Sequence, residues 1–183
     1  MYKVGDMIVY EGSHSVCRVS DIAAFDFRGT KEDRLYYVLK PLHQDCVIYN
    51  PVDNEDALMR PVITKDEAER LIDGIPAMSA AEAGSDARRF QDTKQIAQQY
   101  GSIIKGRDCE SLIGLVLSIY GRRDTLAKLD RHIGSIEAST MKLAENMLFD
   151  ELSVALGIPK DSVPGYIETR IGAMSDVSVP KQA

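Results

Sequence analysis

No tryptophan occurs in the chain, and cysteine and histidine occur three times each. Cys17, Cys46 and Cys109 cannot all pair and form no C-x-x-C, which removes the usual signs of a disulfide framework or a redox motif. Reduced thiols fit a cytoplasmic protein. His14-Ser15-Val16-Cys17 and His43-Gln44-Asp45-Cys46 are two H-x-x-C pairs of the kind that can close a tetrahedral zinc site. Both lie in turn and strand patterns, so a structural role is the preferred reading and no metal or other cofactor is expected. A Gly-rich phosphate loop, H-E-x-x-H and G-x-S-x-G are also missing. The run from Gly101 to Gly106 starts like a phosphate loop but continues Arg107-Asp108, not Lys-Ser/Thr. Without a catalytic signature the expectation is a binding protein, not an enzyme, with no small-molecule substrate. No apolar run approaches the roughly 18 residues that span a bilayer, and a basic, then apolar, leader is absent. No membrane association is expected.

What is present is ordinary for a globular protein: 44% hydrophobic and 27% charged residues, with a net charge of −6. That acidity argues against indiscriminate nucleic-acid binding, but the charge is unevenly spread. Residues 1–76 are strongly acidic, whereas the window 86–132 carries nine Lys and Arg against six Asp and Glu. From Lys3 to Ile63 the pattern predicts about five short strands, at Met7–Tyr10, Val16–Phe25, Arg34–Leu39, Val47–Pro51 and Met59–Ile63, rich in β-branched and aromatic residues. The polar tip Arg28–Asp33 and the Asn50-Pro51-Val52-Asp53-Asn54 turn join them tightly, as in a small, strongly bent antiparallel sheet.

The second part reads as helical. Thr64-Lys65-Asp66-Glu67 is a capping box that starts a helix at Lys65, with Gly74 as a left-handed stop and Pro76 beyond it. The small, aperiodic stretch 77–85 reads as a linker. Phe90, Ala97, Tyr100 and Ile104 share one helical face ending at Gly106. Asp108 caps a helix that is apolar nearly all round from Leu112 to Tyr120 and is therefore expected at the centre of the domain. A long helix through Met141, Met147, Leu148 and Leu152 ends at Gly157, and Pro164 suits the first turn of a last one. The predicted organisation is α+β in two domains: 1–76 with a closing helix, a linker at 77–85, a helical domain at 86–174 and a loose tail at 175–183.

Several segments are specific enough to carry a family resemblance. Gly5-Asp6, Val9-Tyr10, the Gly12 to Val16 turn, Tyr37-Val38-Leu39-Lys40, Pro51-Val52-Asp53-Asn54 and Arg60-Pro61-Val62-Ile63 resemble the amino-terminal domain of the CarD family of bacterial transcription regulators, shared with the transcription-repair coupling factor. Arg88-Arg89-Phe90, Ile119-Tyr120-Gly121-Arg122-Arg123-Asp124 and Leu156-Gly157-Ile158-Pro159 match the helical half more loosely. The resemblance implies a Tudor-like β-barrel that pairs with the β subunit of RNA polymerase and a helical domain at the upstream edge of melted promoter DNA.

A sheet with an exposed edge can extend a partner's sheet. That edge is expected on Arg34–Leu39 and Val47–Pro51, with Tyr36, Tyr37, Tyr49 and Pro51 as candidate polymerase contacts. Strand alternation puts about half of such tyrosines in the core; Tyr49 is preferred, since Ile48 beside it is the natural core residue. Arg88, Arg89, Arg122 and Arg123 are the candidate DNA contacts, expected to neutralise phosphates weakly and without reading sequence. Many family members place an aromatic wedge, usually Trp, just before the position of Arg88-Arg89. Here Ser85-Asp86-Ala87 stands there, which favours a rival: an adaptor of the same fold that binds only protein.

Overall fold

The computed structural model describes residues 1–25, 34–54, 57, 59–84 and 93–177. It is α+β, an antiparallel sheet followed by helices, and divides into two compact units, Met1–Val62 and Ile63–Ala183.

The first unit is a five-stranded antiparallel sheet: β1 (Met7–Tyr10), β2 (Val16–Phe25), β3 (Arg34–Pro41), β4 (Ile48–Pro51) and β5 (Met59–Pro61), in the order β4-β3-β2-β1-β5. Gly12 shapes the β1–β2 turn, because a Cβ there would run into the Tyr10 ring. A register shift between Val19 and Asp21 bends the long β2–β3 ribbon. One face forms the core, with Ile8, Cys17, Val19, Tyr37 and Leu39 buried and Tyr2, Tyr10, Ile22, Ile48 and Met59 packed against them. The sheet curls until its two ends meet at one point. Asn50 on β4, buried, donates from Nδ2 to Met59 Sδ on β5 at 3.2 Å and accepts from Asn54 at Oδ1.

The second unit is helical: α1 (Lys65–Gly84), α2 (Thr93–Gly106), α3 (Cys109–Ala127), α4 (Ser135–Leu156) and α5 (Val163–Val177), the last preceded by a 3₁₀ turn at Lys160–Ser162. The expected caps are present. Thr64 Oγ1 accepts from Glu67 N–H while the Glu67 carboxylate takes the Thr64 N–H and hydroxyl, Asp108 accepts from the N–H groups of Glu110 and Ser111, and Gly157 ends α4 at φ 67°. One expectation fails: α1 does not stop at Gly74, and residues 77–84, read as linker, continue it. Ala68, Leu71, Ile72, Ile75 and Met78 recur at helical spacing and pack into the core, which outweighs the local stop signals. Pro76 is tolerated because it lies on the exposed face, above the Ile72 carbonyl whose helical donor it removes. The compact units accordingly divide at Val62/Ile63, ahead of α1, not after residue 76.

Two apolar clusters share α3 and α4. One gathers Ala68, Ile72, Cys109, Ile113, Leu148, Leu152, Leu156 and Val163; the other gathers Leu112, Leu115, Ile119, Ala144 and Met147. α3 is thus the central helix. Each fully buried Leu or Ile contributes on the order of 1.5–3 kcal/mol of burial. Glu151 of α4, also buried, accepts the Ile63 N–H at 3.1 Å and the Cys109 thiol at 3.1 Å, fastening the start of the unit and α3 to the same carboxylate.

Candidate functional site

Strand order narrows the expected sheet edge. β3 lies between β2 and β4, so the stretch Arg34–Leu39 is interior and β4 alone forms that edge. The ladder also orients the backbone of β4. Val52 donates to the Leu35 carbonyl at 2.9 Å, which makes Leu35/Val52, Tyr37/Asn50 and Leu39/Ile48 the hydrogen-bonded pairs. Tyr36/Pro51 and Val38/Tyr49 are then the alternate pairs, so the main-chain groups of Tyr49 and Pro51 point away from β3. Pro51 has no N–H to present, which is where an edge strand tolerates proline.

The opposite edge is blunted chemically. The same alternation, anchored by Val62 N–H on the Met7 carbonyl, directs Met59 and Pro61 outward. The Met59 carbonyl accepts the Tyr2 hydroxyl at 2.9 Å, the Pro61 carbonyl accepts from Arg60 Nη1 at 3.1 Å, and Pro61 lacks an N–H. Of the two edges, β5 is the blunted one.

The side chains agree. Among the described residues of this unit, the exposed large apolar side chains apart from Met1 and Val4 are Leu35, Leu42, Val47 and Tyr49, all on β3, β4 or the loop joining them. Phe25, Tyr36 and Tyr49 share the face opposite the core: the Phe25 ring meets Tyr49 edge-on at 5.1 Å and Tyr36 at 6.3 Å. Tyr49 is 43% exposed, with Ile48 beside it packed on the core. Tyr37 is not a surface residue, contrary to its place among the candidate contacts. It is 4% exposed, packs edge-on to Tyr2 and accepts the Tyr2 N–H at its hydroxyl, 3.1 Å away.

Residues 2–63 match the CarD-like/TRCF RID domain, a family of RNA polymerase-interacting domains. The chain carries a CarD-like domain. The match stops one residue before the α1 cap, so it covers the β unit and not the helices. No curated protein matches the chain.

Beyond the CarD-like unit, the basic window is less available than its sequence suggests. Arg88 and Arg89, together with Asp86, lie outside the described residues. Arg107, between α2 and α3, is 4% exposed at φ 53° and belongs to the interior. Arg122 Nε is 2.8 Å from the buried Glu137 carboxylate, which also takes the Gly134 N–H at the start of α4. That pair anchors the α3–α4 connection. Arg123 lies 4.3 Å from the centroid of the Tyr120 ring and 3.9 Å from Asp124, while the Tyr120 hydroxyl donates to Glu145 at 2.9 Å. Burial first, then the hydrogen bond to Glu145, raises the Tyr120 hydroxyl above its ordinary pKa. Exposed cations without an ion pair among the described residues are found instead at Lys105, Lys128 and Arg131.

The two H-x-x-C pairs do not assemble. Cys17 is buried in the sheet core with its thiol directed to the Ser15 carbonyl, Cys46 is exposed beside Gln44, and among the described residues no three His, Cys, Asp or Glu side chains stand close enough to share a metal ion. No described helix is long and apolar enough to cross a membrane.

Proposed function

We propose that the chain docks on the β subunit of RNA polymerase by adding a partner strand to β4, and that the helical unit then acts on promoter DNA held nearby. It works by binding, not by catalysis. The observation that carries this reading is the asymmetry of the sheet: a family-matched domain with one blunted edge and one edge that directs the Tyr49 main chain outward amid exposed apolar side chains. Main-chain bonds would supply affinity, and Tyr49, Tyr36, Leu35 and Val47 selectivity.

For the helical unit, docking raises the local concentration of DNA, so a weak, sequence-independent contact suffices and net acidity is no obstacle. Modulation of the open complex follows from such a contact at the fork. The adaptor reading has an observation in its favour, the internal engagement of Arg107, Arg122 and Arg123.

Titration of the full chain against purified β subunit tests docking, with a photo-crosslinker placed at position 49 to report the contact. Saturable binding with crosslinks from position 49 is expected. Crosslinks from helical-unit positions alone would overturn the assignment.

A further inference from the structure

The α3–α4 connection, Lys128 to Gly134, combines features that no other part of the helical unit shares among the described residues. α3 ends in a fixed turn: Leu129 N–H bonds the Leu126 carbonyl at 2.9 Å, Asp130 N–H bonds Ala127 at 3.1 Å, and Arg131 N–H returns to Leu126 at 2.9 Å, with Asp130 in the left-handed region at φ 54°. The far end is pinned by Glu137, which holds both the Gly134 N–H and Arg122. On this base Leu129 is 64% exposed and Ile136, the second residue of α4, 41% exposed; among the described residues these are the exposed large apolar side chains of the helical unit. Single exposed apolar residues are ordinary, but here one stands on the connection and the other just past it, at the start of α4.

Lys128, Arg131 and His132 flank Leu129 and are exposed, with no ion pair among the described residues. Asp130 is the one carboxylate of the stretch and is itself exposed. The two cations, Lys128 and Arg131, beside an apolar tip are what a phosphate backbone with an unstacked base step requires: charge neutralisation on either side and a greasy group to fill the opened step.

We propose that the 128–136 connection is a DNA-contacting element, with Leu129 as the apolar wedge and Lys128, Arg131 and His132 as phosphate contacts. The proposal rests on the DNA half of the reading above and gives it residues. It also supplies an apolar group where the region of Asp86 offers none.

The test uses the full chain with RNA polymerase and a promoter fragment carrying a premelted fork, with DNA occupancy followed by fluorescence anisotropy across a salt series. Wild type is compared with Leu129→Ser, Lys128→Ala/Arg131→Ala/His132→Ala, and Arg88→Ala/Arg89→Ala, and polymerase docking is measured separately for each. The triple variant should lose affinity at least tenfold and lower the slope of log K against log salt by about 2. Leu129→Ser should lose roughly three- to tenfold with the slope unchanged, as for removal of an apolar filler from an opened step. If the triple variant and Leu129→Ser match wild type while Arg88→Ala/Arg89→Ala loses binding, this element is wrong and DNA contact stands. Docking without any DNA effect in wild type would sink both. Equal or tighter binding of wild type to phosphatidylglycerol vesicles than to the fork would also overturn the proposal, placing the element on a lipid surface.

Discussion

Tyr49→Pro, read against Tyr49→Ala, isolates the main-chain half of the proposed docking. Both substitutions remove the ring, its edge-on contact with Phe25 at 5.1 Å, and the 43% of the residue still open to a partner. Covering that fraction of a tyrosine that buries roughly 200 Å² would contribute on the order of 2 kcal/mol at about 25 cal/mol per Å², so Tyr49→Ala should weaken β-subunit binding by roughly 30-fold. Proline additionally deletes the N–H that the β3–β4 ladder turns away from the sheet. One main-chain hydrogen bond has a net value of about 0.5–1.5 kcal/mol, so Tyr49→Pro should be a further 2- to 13-fold weaker than Tyr49→Ala. Neither substitution removes a β3–β4 ladder bond, because Tyr49 stands at an outward position of β4. Isothermal titration gives the affinities and thermal melts of the same samples give stability. Equal affinities for Pro and Ala, with the unit folded in both, would refute strand addition at β4. A Pro variant that melts far below Ala would show that the Tyr49 N–H serves the fold.

Other outcomes follow from the helical unit and from the thiols. Arg122→Ala should destabilise that unit by about 1–3 kcal/mol in denaturant titrations, because Glu137, 6% exposed, loses its cation, whereas Arg123→Ala should cost under about 1 kcal/mol. Asp73 is held below the usual carboxylate range by its two hydrogen bonds to Arg170, and Glu67 by the backbone N–H and hydroxyl of Thr64. A depressed folded-state pKa stabilises above the unfolded value and is lost as pH falls through the folded one, so melting temperature should drop as pH falls below about 4, less steeply in Asp73→Asn. Elemental analysis should find no stoichiometric zinc and chelation should leave the melt unchanged; one zinc per chain, lost in Cys17→Ser, would reverse that expectation.

The strands were legible nearly to the residue, because β-branched pairs bounded by Gly, Asn and Pro leave few alternatives over so short a stretch. Their order was not. Consecutive tyrosines at 36 and 37 give no phase of their own, and which one faces inward is decided by pairing on both sides of β3 and by the register shift in β2. The α1 extension was hidden for the opposite reason: Gly74 and Pro76 are strong local punctuation, overruled by an apolar stripe whose partners lie on α3, α4 and α5. Net charge by window located the basic stretch but could not tell Arg107, sunk between α2 and α3, or Arg122, spent on Glu137, from the exposed Lys128 and Arg131. Leu129 carried a weak signal, a leucine between Lys128 and Asp130 after the helical period had lapsed.

The prolines that end β4 and β5 also bear on how the protein behaves in a crowded cell. A sheet open at both ends invites copies of itself to stack, each offering donors and acceptors to the next. Here Pro51 and Pro61 lack N–H groups at outward positions, and the β5 carbonyls already have intramolecular donors. A second copy approaching either end therefore meets a broken ladder, and stacking cannot propagate from molecule to molecule. The strand that does fit must be short and centred on Tyr49, so the features that select a partner are also those that keep the protein dispersed until it meets one.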